Sequence, residues 1–361
     1  MNEHAFAVII AGGRGERFWP LSTAAHPKQF LSLFGGKPLI RHSFDRLVGF
    51  VPPERILVIT SADLVDTTAQ ALPSLPAGNI VGEPCGRDTA AACALACGLV
   101  AARDLEGVVA ILAADHLMAD VEGFHRTLRD SYTVAAAGGC IVTIGVKPTF
   151  PSTGFGYIEA GDDLAPGLAT PFSKALRFVE KPDAETAAGY LASGRFFWNA
   201  GMFIWHVRTM RDAVGRFVPD LLPLVGLPLR ARSPEALAPA LADIYPGLRK
   251  ISVDYAIMEH FDNIVMAHGD FGWDDVGTWP SAATHFDADA EGNVVIGKAE
   301  TLDASGNFVV SEGRLTALFG VRDLIVVQAG NATLVCPRDR APELKKLVQQ
   351  IGRRPDGSEY V

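Results

Sequence analysis

The sequence predicts an α/β protein with a doubly wound, mostly parallel sheet and a small C-terminal β module. The 361 residues, of which 48% are hydrophobic, are enough for one large domain with a substantial core and a smaller second part. Strand-like and helical stretches alternate over the first part of the chain, as they do in doubly wound sheets. Short strands at intervals of roughly ten residues near the end of the chain predict the β module.

Apolar, β-branched runs in the N-terminal part are typical of parallel strands that are covered on both faces. Stretches with helical periodicity lie between them, and sheets of this kind bind ligands at the carboxyl ends of their strands. The longest apolar run predicts a buried, alanine-rich helix whose N-cap is Asp88 or Thr89. The predicted strands are 6–11, 56–60, 79–82, 108–114 and 141–146, and the predicted helices are 38–48, 62–71, 89–103 and 122–137.

The pattern of the sequence changes after residue 150. The strands "GFGYIEA", "ALRFVEK" and "GMFIWHV" are separated by longer polar loops and predict a lid or substrate-facing part of the same sheet. After "WDDVGTWPSAA", five short strands, "GNVVIG", "GNFVVS", "LTALFG", "DLIVVQ" and "ATLVCP", predict the β module, with a final helix over 341–352. We therefore expect a large domain over residues 1–284 and a C-terminal β module over residues 285–361.

Composition excludes several classes of protein. Lys and Arg total 32 against 41 Asp and Glu, and a net charge of −9 argues against a nucleic-acid or anionic-membrane binder. The N-terminus lacks the basic residues of a targeting segment, and no apolar run approaches the ~20 residues that span a bilayer. We expect a cytoplasmic protein. Cys93 and Cys97 share a helix face, where they could form a metal or redox pair but are more typical of small packing residues.

The glycine-rich loop in "VIIAGGRGERFWPLSTAAHPKQF" follows a strand. Phe18 stands where a dinucleotide fingerprint needs its third glycine, and Pro38 breaks the Walker pattern. Glycines let backbone N–H groups surround an anion, whose charge flexible cations such as Arg14, Arg17 and Lys28 then neutralise. The loop is a candidate phosphate site, with a simple tight turn as the alternative.

Acidic residues at two positions are candidate metal ligands. Asp115 directly follows the strand in "VVAILAADH", where it is either a Mg²⁺ ligand or a turn residue. In "FGWDDVGTW", either Asp274 or Asp275 could complete a metal site with Asp115, and the residues alone leave this choice open.

Two further motifs carry polar residues at strand ends. In "FVEKP", Glu180 can accept sugar hydroxyls while Lys181 meets a phosphate, although a surface ion pair explains the pattern equally well. In "FFWNAGMFIW", Asn199 and Gly201 indicate either a polar contact at a point of close approach or plain core packing.

Taken together, these motifs resemble those of the mannose-1-phosphate guanylyltransferases, and the resemblance spans residues 6 to 281. The glycine-rich loop by itself indicates only the wider sugar nucleotidyltransferase family. The block around "FWPLS" and "PKQF" is much more specific to the guanylyltransferase branch. The motifs in their shared order are "AGGRGERFWPLS", "PKQF", "GEPCGRDTAAA", "AADH", "GFGYIE", "FVEKPD", "WNAGMFIW" and "GWDDVGTW".

The resemblance implies a Rossmann-like nucleotidyltransferase core with a short, left-handed β-helix-like module. It implies a Mg²⁺-dependent reaction in which GTP and mannose 1-phosphate give GDP-mannose and diphosphate. We also expect a homodimer with no nucleic-acid or membrane partner. The chain is too short after the last motif for the cupin isomerase domain of many bacterial relatives, so we expect no phosphomannose isomerase activity.

The resemblance also implies roles for individual residues. The catalytic residues would be Arg14, Lys28, Asp115 and Asp275, the last two as Mg²⁺ ligands. Those at the nucleotide would be Ala11, Gly12, Gly13, Gly15, Arg17, Glu83, Pro84, Asp88 and Thr89. Those at the sugar phosphate would be Gly156, Tyr157, Glu180, Lys181, Asn199 and Gly201.

The sequence departs from the family pattern at two positions. Asp88 stands where the family has asparagine, and Thr23 stands where it has arginine, which bears on base preference and phosphate affinity. The alternatives are the same reaction with another hexose 1-phosphate or purine triphosphate, and a regulator that binds the nucleotide sugar without turning it over. An NAD-type oxidoreductase is disfavoured by Phe18.

Overall fold

A computed structural model of the chain describes residues 3–13, 15–164, 167–231 and 234–361, and it has the predicted α/β fold. The strands are β1 Ala5–Ala11, β2 Ile56–Ser61, β3 Ile80–Glu83, β4 Val108–Ala113, β5 Leu117–Met118, β6 Ile141–Val146, β7 Gly156–Leu164, β8 Phe172–Glu180, β9 Phe196–His206, β10 Ile264–Gly269, β11 Trp273–Asp274, β12 Val294–Leu302, β13 Phe308–Phe319, β14 Leu324–Ala329 and β15 Ala332–Pro337. The α-helices are α1 Leu39–Asp45, α2 Val65–Ala71, α3 Asp88–Ala101, α4 Val121–Ala136, α5 Ala184–Ser193, α6 Val207–Phe217, α7 Leu222–Ala231, α8 Pro234–Ile244, α9 Trp279–Ala283 and α10 Leu344–Gly352.

Contacts divide the chain into two compact units, which are described separately. The large unit comprises Met1–Gly12, Ser43–Ala114 and Met118–Trp273, and the small unit comprises Gly13–His42, Asp115–Leu117 and Asp274–Val361. This grouping is based on packing. The predicted boundary between residues 284 and 285 is based on the change in sequence pattern, and it stays a prediction.

The large unit is built on a nine-stranded sheet with the order β3-β2-β1-β4-β9-β6-β10-β8-β7. The first four strands are parallel, and β6 and β10 are parallel to each other. Strand β9 lies between β4 and β6 and is antiparallel to both. Strands β7, β8 and β9 thus belong to the same sheet, as expected for the stretch after residue 150, and its role as a lid or substrate-facing part stays a prediction. Strands β1, β2 and β4 are almost entirely buried, as their near-continuous apolar sequences require.

The alanine-rich stretch forms α3, which is buried along nearly its whole length. Cys93 and Cys97 are fully buried in it, and the Cys97 thiol donates to the carbonyl of Val207 at 3.2 Å. Burial raises the pKa of both thiols, and their full burial agrees with the interpretation as small packing residues. None of the helices in the described part of the chain combines the length and apolarity that a bilayer crossing demands.

The predicted N-cap of this helix is wrong. Helix α3 begins at Asp88, Arg87 occupies the cap position, and no side chain caps it. The Thr89 hydroxyl oxygen accepts a hydrogen bond from the Val253 amide at 2.9 Å instead. A tertiary contact has therefore taken the oxygen that the local sequence pattern assigned to the helix end.

The small unit contains a four-stranded sheet with the order β12-β13-β14-β15, in which the first three strands are parallel and β15 is antiparallel. The prediction of five strands is wrong, because "GNFVVS" and "LTALFG" form one long strand, β13. Gly313, with φ of 75°, lies where the register with β12 shifts, and the Ser311 hydroxyl donates to the Arg314 carbonyl across this bulge. Aliphatic residues of the sheet pack with Phe18, Trp279 and Phe308 in one core.

Gly98 tests the close packing of α3 and α7 in the large unit. A Cβ at this position would lie 2.6 Å from the carbonyl oxygen of Val225 and 2.7 Å from that of Leu224. We expect Gly98→Ala to lower the free energy of unfolding in urea by about 1–3 kcal/mol, because one of the helices must shift. The matched control is Gly189→Ala in α5, where a Cβ would meet nothing within 4 Å and should be neutral or slightly stabilising. Equal effects of the two substitutions would contradict the close approach.

Candidate functional site

The ammonium of Lys28 is the centre of a charged cluster in the small unit. Lys28 is 5% exposed, and its Nζ donates to Asp115 Oδ2 at 2.7 Å and to the main-chain oxygen of Asp275 at 2.7 Å. Its Nζ also lies 5.6 Å from the centre of the Phe18 ring. The structure therefore brings three of the predicted catalytic residues together around one buried positive charge.

The structure explains why one position of the glycine-rich loop, Gly15, is a glycine. It has φ of 66°, and a Cβ there would overlap Cβ of Lys28. Only glycine adopts this conformation readily while allowing the Lys28 side chain to approach so closely. The loop glycine is thus required by a residue of the same protein, whatever it also does for a ligand.

The other predicted residues of the loop differ in their exposure and contacts. Among the described residues, a Cβ on Gly13 would meet nothing within 4 Å, so no contact with them explains this glycine. Arg17 is exposed in a short 3-10 turn, and Arg14 lies outside the described residues. Thr23 stands in a turn in which its hydroxyl oxygen accepts from the amide of His26 at 3.2 Å. Their predicted roles at phosphate stay predictions.

The structure separates the roles of the two adjacent carboxylates. Both oxygens of Asp274 are engaged, with the Val276 amide, the Ser281 hydroxyl and the His285 ring as partners at 2.7–2.8 Å. Asp275 accepts a hydrogen bond from the amide of Gly277 at 2.9 Å. Asp274 therefore stabilises the turn into α9, whereas Lys28 contacts the main-chain oxygen of Asp275 and its charge acts on the Asp275 carboxyl.

The electrostatics of the cluster follow from this geometry. Burial raises the pKa of Asp275 to about 6, with Lys28 acting to lower it and the Asp274 and Asp115 carboxylates acting to raise it. Burial also acts to raise the pKa of Asp115, but the charges of Lys28 and His116 and the Lys28 hydrogen bond hold it below its ordinary value. The cluster thus holds two nearby acids, one firmly ionised and one whose charge costs free energy.

Such a pair of carboxylates fits Mg²⁺. No three His, Cys, Asp or Glu side chains gather as a metal site within the described ranges. Mg²⁺ is commonly held by one or two carboxylates, with water and substrate phosphates completing its shell. Burial and, to a smaller extent, like-charge repulsion raise the pKa of Asp275, and a divalent cation would offset both effects.

In the large unit, Glu83 is a buried carboxyl at the end of β3. It is 7% exposed, and its Oε1 accepts a hydrogen bond from the Tyr245 hydroxyl at 2.9 Å. Burial raises the pKa of Glu83 to about 7, although the Tyr245 hydrogen bond acts to lower it. A Cβ on Gly12 would lie 3.6 Å from Glu83 Oε2, so the end of β1 runs close to this carboxyl. The chain thus places two of the predicted nucleotide residues side by side.

The neighbouring predicted nucleotide residues lie at strand and helix ends of the same unit. Ala11 ends β1, and its carbonyl accepts from the Thr60 hydroxyl at 3.1 Å. Pro84 follows β3 and is partly exposed, and Asp88 is exposed with φ of 66°. Thr89 is occupied by the contact with the Val253 amide described above. The expected location at the carboxyl ends of the strands is therefore met by the residues of β1 and β3.

A second polar cluster of the large unit forms where β7, β8 and β9 meet. Gly156 lies opposite Glu180 in the register, and a Cβ on Gly156 would lie 2.5 Å from Glu180 Oε2. Asn199 lies beside them, since the same added Cβ would be 3.4 Å from the Cβ of Asn199. The absent side chain of Gly156 therefore makes room for the Glu180 carboxylate next to the Asn199 amide.

The remaining predicted sugar residues differ in what they offer. Lys181 is exposed and forms an ion pair with Glu180. Gly201 is exposed with φ of 64°, and its amide donates to Asn199 Oδ1 at 3.1 Å. Tyr157 is fully buried, and its hydroxyl donates to the Ser152 carbonyl at 2.9 Å. A contact between Tyr157 and a sugar stays a prediction, and it would have to be made by main-chain atoms.

Asp254 belongs to this cluster and was missed by the sequence interpretation. Its Oδ1 accepts from Asn199 Nδ2 at 2.8 Å. Burial and the nearby Glu180 charge raise the pKa of Asp254 to about 6, against the lowering effect of the Asn199 hydrogen bond. The signal was a lone acidic residue in the apolar stretch "ISVDYAIM", which is rare unless the residue is paired or functional.

Comparisons with known proteins agree on the type of protein. The chain matches the family described as "Nucleotidyl transferase" over residues 6–292 and the "MannoseP isomerase/GMP-like beta-helix domain" over residues 297–351. It is 36% identical to the mannose-1-phosphate guanylyltransferase of Klebsiella pneumoniae, over 98% of this chain and 75% of that one. It is 38% identical to the mannose-1-phosphate guanylyltransferase ManC of Salmonella typhimurium, over 96% of this chain and 73% of that one.

Among solved structures, one neighbour aligns over almost the full length. A Thermus thermophilus protein described as "mannose-1-phosphate geranyltransferase" is 35% identical, with a TM-score of 0.85, and the match covers 96% of this chain and 99% of that one. A Helicobacter pylori protein described as mannose-6-phosphate isomerase is 23% identical, with a TM-score of 0.59 over 75% of this chain and 99% of that one. At that level of identity, the second match shows the fold alone.

The buried carboxyl of Glu83 generates a prediction about pH. Its pKa in the folded chain is about 7 against an ordinary value of 4.5, so the folded state loses stability as the pH rises through this window. We expect Glu83→Gln to raise the free energy of unfolding at pH 8 by about 1–3 kcal/mol, since an amide oxygen still accepts from Tyr245. The gain should disappear near pH 4.5.

Urea unfolding at both pH values measures this effect. Gly98→Ala is the control, because its packing defect should be independent of pH. A stability gain for Glu83→Gln that is equal at the two pH values would rule out the titration of this carboxyl as its cause.

Proposed function

Since the chain belongs to the nucleotidyl transferase family, we propose that it is a mannose-1-phosphate guanylyltransferase, which converts GTP and α-D-mannose 1-phosphate to GDP-mannose and diphosphate. The names of relatives that match nearly the whole of this chain support this proposal. The single structural observation that carries it is the buried Lys28 ammonium between Asp115 and Asp275, a cation held ready for phosphate.

The reaction requires the protein mainly to position the two substrates and to neutralise the charge of their phosphates. An oxygen of the sugar phosphate attacks the α-phosphorus of GTP, a new P–O bond forms there, and the bond to the β-phosphate oxygen breaks opposite it. Diphosphate leaves with that electron pair. A phosphate dianion is already nucleophilic, so no general base is needed.

The residues of the small unit are proposed to neutralise the phosphates. Lys28 meets the negative charge that accumulates on the leaving diphosphate, and Arg14 is the second cation of the loop. Asp115 and Asp275 would hold Mg²⁺, which supplies further positive charge to the phosphate oxygens. Main-chain N–H groups of Gly13 and its neighbours complete the set of phosphate donors.

The residues at the ends of β1 and β3 are proposed to face the nucleotide. Glu83 would lie on the guanine side, together with Pro84, Asp88 and Thr89, and Gly12 would approach through its backbone. A carboxyl accepts hydrogen bonds from N–H donors such as those of guanine, and a ligand that does so would lower the pKa of Glu83 and offset the cost of its burial.

The cluster of Glu180, Asn199 and Asp254 is proposed to recognise mannose. The two carboxylates accept hydrogen bonds from sugar hydroxyls, and the Asn199 amide is held in one orientation between Asp254 and Gly201. Lys181 would turn from its ion pair with Glu180 to the sugar phosphate.

The metal, the oligomeric state and the location of the protein are inferred separately. We infer Mg²⁺ dependence from the two carboxylates of the small unit. A homodimer and a location in the cytoplasm stay predictions from the sequence, as does the absence of nucleic-acid and membrane partners.

The second candidate is the same reaction on another hexose 1-phosphate or with another purine triphosphate, and Asp88 in place of the family asparagine is what favours considering it. A panel of nucleoside triphosphates and sugar 1-phosphates, with diphosphate release as the readout, separates these candidates. We expect the highest kcat/KM for GTP with mannose 1-phosphate. A higher value for another pair would favour the second candidate, and tight GDP-mannose binding without any turnover would indicate a regulator.

The proposed roles of Lys28 and Asp275 can be tested by substitution. Lys28→Ala and Asp275→Ala should each lower kcat by roughly 10²–10³-fold, because each removes a group that stabilises transferred or leaving phosphate charge. Diphosphate release measures kcat, and circular dichroism verifies that both variants fold. Lys298→Ala, which removes an exposed cation from β12, is the matched control and should leave turnover unchanged. Near-normal turnover in a folded Lys28 or Asp275 variant would refute the role of that residue.

A further inference from the structure

The segment Phe18-Trp19-Pro20 is specific in sequence, yet nothing in the proposed chemistry uses it directly. We propose that Trp19 is a positioning residue, which ties the loop that carries Lys28 to the C-terminal segment at Tyr360. The inference rests on the proposed function only where it concerns catalysis. Every contact that supports it lies within the small unit.

The first step of the argument is the contact between the loop and Lys28. The backbone of Gly15 touches the Lys28 side chain so closely that no Cβ fits. The Phe18 amide donates to the Gly15 carbonyl at 2.9 Å, and the Ser22 amide donates to the Phe18 carbonyl at 3.0 Å. A displacement of this turn would therefore be transmitted to Lys28 through direct atomic contact.

The second step is the support of the Phe18 ring, which faces the Lys28 ammonium at 5.6 Å. The ring packs on Trp279 with 4.7 Å between centres, and Trp279 packs on Phe308 of β13 at 5.7 Å. All three aromatic side chains are almost completely buried. The ring beneath the ammonium thus rests on the core of the β sheet.

The third step is the pair of indole hydrogen bonds on either side of Trp19. The Trp279 indole N–H donates to the Trp19 carbonyl at 3.3 Å, and the Trp19 indole N–H donates to the Tyr360 carbonyl at 2.6 Å. The partners are 260 and 341 residues apart in sequence. An ion pair between Glu16 and Lys345 of α10 adds an exposed, weaker tie at 3.3 Å.

These contacts give the C-terminal segment a part in the proposed catalytic centre. A loop between a strand and a short helix is among the least stable elements of a fold unless it is anchored. A misplacement of about 1 Å at a charged group can cost up to 10²-fold in rate. Trp19 would therefore act on turnover through Lys28, without touching substrate.

Trp19→Phe tests this inference, because it keeps an aromatic ring and removes the N–H that reaches Tyr360. We expect the amides of residues 15–30 to exchange with deuterium roughly tenfold faster in the substrate-free protein, and kcat/KM to fall by roughly 10- to 100-fold. The control is Leu318→Ala, which opens the separate small core around Val309 and Val326. It should lower Tm while leaving both readouts within about twofold of the parent protein.

The outcomes distinguish this inference from the proposed function. Unchanged exchange at residues 15–30, unchanged kcat/KM, or equal changes in Leu318→Ala would each overturn the positioning role. If the parent protein releases no diphosphate, the proposed function fails, and the exchange measurement still decides whether Trp19 holds the loop. If Trp19→Phe does not fold, Trp279→Phe, which removes the donor to the Trp19 carbonyl, is measured against the same control with the same expectations.

Discussion

The free energy of a buried ammonium constrains the whole small unit. Lys28 is nearly inaccessible to water, so its charge must be compensated by partners at close range, and it is compensated by the carboxylate of Asp115 and the carbonyl of Asp275. The absence of a Cβ at Gly15 leaves room for the Lys28 side chain. The Phe18 ring faces the Lys28 ammonium. Each of these features helps to hold one positive charge in one place.

The large unit applies a related principle with the opposite charge. Glu83 is buried and Asp254 is half-buried, and their carboxylates accept hydrogen bonds from uncharged groups, the Tyr245 hydroxyl and the Asn199 amide. One neutral hydrogen bond does not offset desolvation, so the pKa values of both acids are raised, to about 7 and about 6. Burying such carboxyls lowers the free energy of unfolding of the ligand-free protein. A ligand that donates hydrogen bonds to them would raise it again.

The order of the motifs and the alternation of apolar runs were readable from the sequence, and so were most elements of the large unit. The predicted strands and helices up to residue 146 lie within a few residues of the observed bounds, because short and nearly continuous apolar runs alternate there with helix-length segments. The errors occurred where a tertiary contact outweighs a local pattern. The Thr89 hydroxyl is engaged by Val253 and not by its own helix, and a glycine bulge joins two predicted strands into β13.

The sequence by itself determined which residue types are candidates for the proposed chemistry: the glycines, the lysine after the loop, and the carboxylates at strand ends. Only the tertiary structure decided how they are used. It assigned Asp274 to a turn and the main chain of Asp275 to Lys28, added Asp254 to the polar cluster of Glu180 and Asn199, and connected Trp19 with Tyr360. The physical reason is that periodicity reports the face a residue occupies, whereas burial, pKa and hydrogen-bond partners depend on segments that are distant in sequence and meet only after folding.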